Sequence, residues 1–211
     1  MENLNLILFL SIAAPLCMML AVCQKRSRSV LLFLFLGICV CLFSSEFSGI
    51  LFRVLDFSGQ YLTINLTPLT EELLKAVPLL IYVFIYGPED KYVYECSIAL
   101  GVGFAILENA FILSGNINAV SIPLALIRGF GAGMMHGLCT FLVGFGLTFV
   151  RRLRKLFVCG TVALLSLAVM FHALYNILVQ SRYQIVGYVM PIVIFVPLMI
   201  VLRKKKKILS E

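Results

Sequence analysis

Long apolar runs, each about the length of a membrane span, constrain the fold of this sequence more than any other feature. A helix needs about 20 apolar residues to cross a hydrocarbon core of ~30 Å. Only 13% of the residues are charged, roughly half the share that a soluble domain carries. A soluble globular domain is therefore excluded. The predicted spans cover residues 4–23, 30–51, 69–86, 95–114, 129–150, 156–179 and 185–202.

The apolar runs favour helices over a barrel. Backbone polar groups in lipid must be paired within the protein, which leaves helices or a closed β-barrel. The runs show no alternation with a period of two, which strands would require. We therefore predict an all-α, polytopic transmembrane helical bundle of about seven spans. Residues 1–211 form a single integral membrane domain, with the candidate catalytic helices at about 69–179.

The positions of the basic residues predict the orientation of the bundle. With the N-terminus outside, thirteen of the 17 lysines and arginines collect on the inner side, as the positive-inside rule requires. This pattern predicts an N-out, C-in protein of a cell membrane. The net charge of +7 is then explained by basic residues that set the orientation and contact lipid headgroups, and nucleic acid is not an expected partner. The inner clusters are Lys25, Arg26 and Arg28, then Lys91, then Arg151 to Lys155, and finally Arg203 to Lys207.

The segment before the fifth span has two interpretations. Residues 116–128 could begin a long helix, or they could lie as a short helix at the outer surface. Arg128 favours the surface helix, because residues 129–150 already form a full span and the arginine would otherwise face lipid.

Ionisable and amide side chains within the spans form four short motifs. Such residues are costly in a bilayer and are functional by default. At ~1.5 Å per residue, they lie roughly 6 to 12 Å below the outer ends of their helices. We expect them to meet in one site beneath the outer face. The motifs contain Glu71, Glu72 and Lys75, then Glu108 and Asn109, then His136, and finally His172 and Asn176.

These side chains suit hydrolysis within the membrane. Glu71 and Glu72 are adjacent carboxylates that repel each other in a medium of low dielectric constant, so one of them can serve as the general base for water. Lys75, one helical turn from Glu71, can offset the other charge. Histidine and asparagine side chains can donate hydrogen bonds to an oxyanion.

A metal site is the alternative chemistry for the same residues. Glu108, His136 and His172 form a set of two histidines and one carboxylate, which could hold a divalent metal such as zinc. Glu72 would then activate the bound water. Taken singly, each of these residues could also be structural, as a buried histidine or a hydrogen bond between helices.

The four motifs, in this order, resemble those of the PrsW intramembrane proteases. That family belongs to a wider group with the CAAX prenyl proteases and bacteriocin-processing membrane proteins. The CAAX branch carries histidine where this chain has Glu108, and arginine where it has Lys75, so both positions favour the PrsW branch. The resemblance covers roughly Glu71 to Asn176, in the motifs Glu-Glu-x-x-Lys, Phe-x-x-x-Glu-Asn, a lone His, and His-x-x-x-Asn.

The resemblance implies an intramembrane endopeptidase of a bacterial plasma membrane. Its substrate would be a single-span membrane protein or peptide, such as an anti-sigma factor, cut near the extracytoplasmic side. Members of this group have been described both as metalloproteases and as glutamate proteases, so the cofactor stays open between none and a divalent metal. Two other functions stay open as well. Carboxylates and histidines in a membrane also serve proton-coupled transporters, and the same superfamily includes a non-catalytic scaffold subunit.

Overall fold

The computed structural model describes residues 15, 27–55, 64, 66–115, 121–149 and 153–208. Within these ranges the chain is helical and contains no strand, which confirms the all-α prediction. Six long helices follow one another there. They are α1 (Ser27–Leu55), α2 (Thr67–Tyr86), α3 (Asp90–Gly115), α4 (Ile122–Leu147), α5 (Arg154–Val179) and α6 (Gln184–Ile208).

Four of these helices, α1, α3, α4 and α5, are long and apolar enough to cross a membrane. Helix α2 has 20 residues but carries Glu71, Glu72 and Lys75, and the shorter apolar part of α6 covers Gln184–Leu198. The predicted first span at 4–23 lies outside the described residues except for Pro15. The basic residues Lys25, Arg26, Arg151 and Arg152, and the side chains of Arg154 and Arg203 to Lys207, also lie outside them.

Local sequence signals place both ends of α2. Pro68 stands in the first turn, where the missing N–H costs no helical hydrogen bond. Gly87 ends the helix with a left-handed φ of 53°, and its N–H donates to the carbonyl of Val83 at 3.2 Å. Glycine adopts this conformation without steric cost. Because α3 begins at Asp90, only a short link separates the two helices, and they run antiparallel. Helix α2 has 20 residues and α3 has 26, so the first turn of α2 lies about 9 Å before the end of α3.

Helix α4 begins earlier than the predicted fifth span. The Ser121 side chain accepts a hydrogen bond from the Leu124 N–H at 3.4 Å, and a proline occupies the first turn of the helix. Both are helix-start signals. The helix then continues through Arg128, whose side chain is only 8% exposed. The predicted short surface helix over residues 116–128 is therefore wrong from Ile122 onward, because these residues continue into α4 and Arg128 is buried between helices. Residues 116–120 lie outside the described residues.

Helices α3 and α4 form the centre of the bundle. In their most apolar windows, 72% and 78% of the residues are buried, against 28% in α1 and 11% in α5. A Cβ at Gly103 would clash with the backbone of Leu34 on α1, and a Cβ at Gly101 would clash with the backbone of His136 on α4. Small residues permit such close approach between membrane helices. This packing fixes the position of His136 against α3.

The outer faces of the bundle are strongly apolar. Large aliphatic and aromatic side chains stand exposed on α1, α2 and α5, in a number that a water-facing surface would not carry. Lipid is the solvent that suits such a surface. Examples are Leu31, Phe35, Val77, Ile85, Val158 and Met170.

Candidate active site

Three charged side chains in the first turns of α2 are buried among the helices. Glu71 is 6% exposed, while Glu72 and Lys75 are fully buried. Residues three and four positions apart share one face of a helix, so both carboxylates can reach the lysine. The Lys75 Nζ lies 2.9 Å from Glu72 Oε1 and 3.6 Å from Glu71 Oε2. This pairing offsets part of the cost of removing three charges from water.

Lys75 connects α2 to α4 and α3. Its Nζ lies 2.7 Å from His136 Nδ1 and 3.8 Å from the centre of the Phe104 ring. Since an ammonium group can only donate, the His136 Nδ1 accepts, and its other ring nitrogen carries the hydrogen. That Nε2–H donates to Glu108 Oε2 at 2.9 Å. His136 is therefore a neutral imidazole with a hydrogen bond at each of its two ring nitrogens.

His172 joins the same network from α5. The His172 Nδ1–H donates to Glu72 Oε1 at 2.9 Å, which leaves Nε2 with its lone pair. That Nε2 lies 3.8 Å from Glu71 Oε2. Both atoms are buried, and neither has a hydrogen-bond partner within the described part of the chain. One water molecule could donate a hydrogen bond to each of them.

The structure joins six of the eight predicted site residues in one network. The connections run from the Glu71–His172 pair through Glu72 and Lys75 to His136 and Glu108. Asn109 follows Glu108 and is fully buried. Asn176 lies one turn beyond His172 and is partly buried. The predicted meeting of four helices at one level therefore occurs.

Two further polar residues near the network were not predicted as part of the site. Arg128 interacts electrostatically with Glu108, and Tyr175 interacts with Arg128 and Glu108. The Tyr175 side chain is 2% exposed. A sequence signal existed for Tyr175, which stands three residues after His172 and so shares its helix face. The charge of Arg128 within an apolar stretch could have indicated a functional residue, but this arginine was predicted to lie at the membrane surface.

The residues closest to a metal-binding arrangement differ from the predicted set by one carboxylate. Ligand atoms of Glu71, His136 and His172 all lie within 4.8 Å of one another. The set predicted from the sequence contained Glu108 with the two histidines. In the structure Glu108 instead accepts the Nε2–H of His136, and Glu71 faces His172.

A model of the PrsW family, described as an intramembrane metalloprotease, matches residues 25–202. The match spans most of the 211 residues and contains every residue of the network. The chain belongs to the PrsW family. PrsW proteins are intramembrane proteases, so the chain is a membrane-embedded hydrolase whose substrate is a protein in the membrane. No curated protein and no solved structure matches the chain.

The site of this PrsW protein fits a divalent metal, which the family's description as a metalloprotease implies. Glu71 Oε2 and His172 Nε2 are buried acceptors with no hydrogen-bond partner among the described residues, and carboxylate and imidazole are common zinc ligands. Glu72 stands behind His172 as the carboxylate that usually orients such a ligand. His136 could be a further metal ligand through its Nδ1 once Lys75 no longer donates a hydrogen bond to that atom. A metal bound there would polarise the scissile carbonyl as a Lewis acid.

Proposed function

We propose that this PrsW protein is an intramembrane endopeptidase that cuts single-span membrane proteins, such as an anti-sigma factor, near the extracytoplasmic face. In this proposal Glu71 activates the attacking water. The observation that carries it is the pair of Glu71 Oε2 and His172 Nε2, 3.8 Å apart, both buried and unpartnered in the described part of the protein. General-base catalysis needs such an acceptor within hydrogen-bond reach of water.

The proposed reaction proceeds in two steps. Water donates its hydrogens to Glu71 and His172, and its oxygen attacks the peptide carbonyl carbon as Glu71 takes one proton. The resulting tetrahedral intermediate breaks its C–N bond, and the protonated Glu71 returns that proton to the departing amine. The products are one new amine, which has received one hydrogen of the water, and one new carboxylic acid, which keeps the other hydrogen and the oxygen, so the atoms of peptide and water balance.

The other predicted residues have supporting roles in this proposal. Glu72 accepts the Nδ1–H of His172 at 2.9 Å and so keeps the Nε2 lone pair directed at the water. Lys75 holds Glu72 in that position. The amide groups of Asn109 and Asn176 are the proposed donors to the developing oxyanion, which preorganised donors stabilise strongly.

His136 and Glu108 hold the lysine from the opposite side. The His136 Nδ1 accepts from Lys75 at 2.7 Å, and Glu108 fixes the tautomer that allows it. If a divalent metal is bound, Glu71, His136 and His172 are its proposed ligands. The activating effect of the metal would then add to the positioning that the chain itself provides.

We further propose seven spans with the N-terminus outside, in a bacterial plasma membrane. The short link between α2 and α3 precedes Lys91, and basic loops favour the cytoplasmic side. Glu71 lies at the opposite end of α2, so the network falls near the extracytoplasmic face. This placement agrees with a cut at the outer end of a substrate span.

The test is cleavage by the purified protein in lipid vesicles. Candidate single-span proteins are co-reconstituted, and the products are identified by mass spectrometry. We expect one cut near the outer end of the substrate span, abolished by His172→Ala and by Glu72→Ala. Glu46→Gln, at an exposed position on α1, is the control and should keep full activity. Unchanged cleavage in both site variants would refute the assignment.

A parallel measurement decides the role of metal. The metal content of the same preparation is determined, and cleavage is compared with and without a chelator. Loss of cleavage that zinc restores would make Glu71 a metal ligand and would assign the activation of water to the metal, whereas full activity at negligible metal content would leave Glu71 as the general base. Solute flux without peptide products would favour a transporter instead.

A further inference from the structure

Three buried side chains beside the network carry hydrogen-bond donors that have no partner among the residues that the structure describes. They are Asn109, Arg128 and Tyr175, which we call the donor cluster. Their exposed fractions are 0%, 8% and 2%. Both amide atoms of Asn109, the Nε of Arg128 and the hydroxyl of Tyr175 lack a hydrogen-bond partner in the described part of the protein. Each unpaired buried polar group costs about 1 to 3 kcal/mol, so this grouping calls for an explanation.

Helix packing places Arg128 and Tyr175 on facing surfaces. A Cβ at Gly131 would lie 2.7 Å from the Tyr188 carbonyl oxygen, so α4 and α6 touch there. Arg128 stands one turn earlier on the same face of α4. The rings of Tyr188 and Tyr175 lie 6.3 Å apart at an edge-to-face angle, which brings α5 to the same place.

Asn109 lies at the same level on α3. Leu113, one turn after Asn109, packs against Ala125, which stands three residues before Arg128. Because α3 and α4 run in opposite directions, the next layer toward the network contains Asn109 from one helix and Arg128 from the other. The donor cluster is therefore assembled from α3, α4 and α5.

The donor cluster lies next to Glu108, which is the last residue of the network. Glu108 precedes Asn109 in the chain, interacts with Arg128, and accepts the Nε2–H of His136. Its side chain is 24% exposed, the most open of the carboxylates in the network. A substrate segment that reached Glu71 would therefore pass the donor cluster within a few residues of the bond to be cut.

We infer that the donor cluster binds main-chain carbonyl oxygens of the substrate after the substrate helix has unwound. Asn109 binds the scissile carbonyl itself, and Arg128 and Tyr175 bind the carbonyls next to it. This inference rests on the proposed function. Within a helix each carbonyl is bonded along the chain, so a membrane span must unwind locally before its peptide bond is accessible. The freed carbonyls then have no water to bond with, which costs several kcal/mol each in lipid. Buried donors without partners offset this cost.

The charge balance favours neutral carbonyls over an acidic side chain. The site contains the carboxylates of Glu71, Glu72 and Glu108 and the cations of Lys75 and Arg128. With three carboxylates against two cations, a further carboxylate from the substrate would be poorly compensated. An isolated buried charge is costly, whereas a carbonyl oxygen accepts from the same donors without adding charge.

The test measures capture of a model peptide without turnover. The probe is a single-span peptide of ~20 apolar residues, with a photoreactive benzophenone near its outer end, in vesicles with the Glu71→Gln protein. In this background, Tyr175→Phe should lower crosslinking about fivefold. Arg128→Lys should lower it about tenfold, since lysine keeps the charge but loses the Nε donor and the fork geometry. Tyr94→Phe, in a ring cluster with Phe141 and Phe145, is the matched control.

A change in the peptide backbone identifies the bonded atom. Replacing one amide of the peptide by an ester weakens its carbonyl as an acceptor. At the contacting position this change should lower capture by the Glu71→Gln protein, and should have little further effect when Tyr175→Phe is also present, as expected for groups that interact directly. Additive effects at every ester position, or unchanged capture in the Tyr175 and Arg128 variants, would overturn the inference. Tyr175-dependent capture of a peptide that the wild type never cuts would support the inference while refuting the protease.

Discussion

Replacing Lys75 should destabilise this protein more than replacing any exposed charge. In Lys75→Met, the carboxylates of Glu71 and Glu72 lose the cation 3.6 Å and 2.9 Å away, and His136 loses its donor at 2.7 Å. Removing one partner of a buried ion pair costs about 3 to 5 kcal/mol. For a chain of this length, that corresponds to a fall of roughly 10 °C in the melting temperature.

The assay is thermal unfolding of the purified protein in detergent, with two companion variants. The double variant Glu72→Gln/Lys75→Met removes one buried carboxylate together with the lysine, so it should recover a large part of the loss. Lys91→Met removes an exposed lysine that pairs with Glu89 at the surface, and it should leave the melting temperature unchanged. A Lys75→Met protein as stable as the wild type, or a double variant less stable than the single one, would refute the ion-pair argument.

Three further predictions concern packing, positioning and transition-state binding. Gly103→Ala should lower stability by about 1 to 3 kcal/mol, because its methyl group would meet the Leu34 backbone; an unchanged melting temperature would count against the close packing of α1 and α3. Glu108→Gln should lower kcat/KM about 10- to 100-fold, because Glu108 orients His136; a kcat/KM equal to that of the wild type would contradict this role. Asn109→Ala should lower kcat more than it raises KM, by about a hundredfold, if its amide binds the oxyanion; a change in KM alone would contradict that assignment.

Much of the fold followed from the apolar runs. Each predicted span from residue 30 onward coincides with one helix of the structure, because runs of this length can bury their backbone in lipid only as helices. The beginning of α4 was the exception. The prediction relied on the charge of Arg128 and did not use the helix-start signals at Ser121 and Pro123. A charged side chain within a membrane span usually faces the interior of the bundle, as Arg128 does.

The grouping of the site was predictable, but its internal contacts were not. The depth of His136 was predicted for a helix that begins after Arg128, whereas α4 begins at Ile122, about 21 Å before His136 at ~1.5 Å per residue. The motifs nevertheless meet because glycine contacts, such as Gly101 against His136, set the axial positions of the helices. Which carboxylate faces which histidine depends on helix rotation, and a single sequence does not contain that information.

The most direct test of the central claim compares two glutamine variants in the same vesicle assay. Glu71→Gln removes the proposed base with almost no change in shape, and Glu46→Gln makes the same chemical change at an exposed site on α1. With matched protein levels and melting temperatures, we expect cleavage of a single-span substrate to fall by at least about a hundredfold in the first variant and to stay unchanged in the second. Equal cleavage rates in the two variants would contradict the proposal that Glu71 activates water.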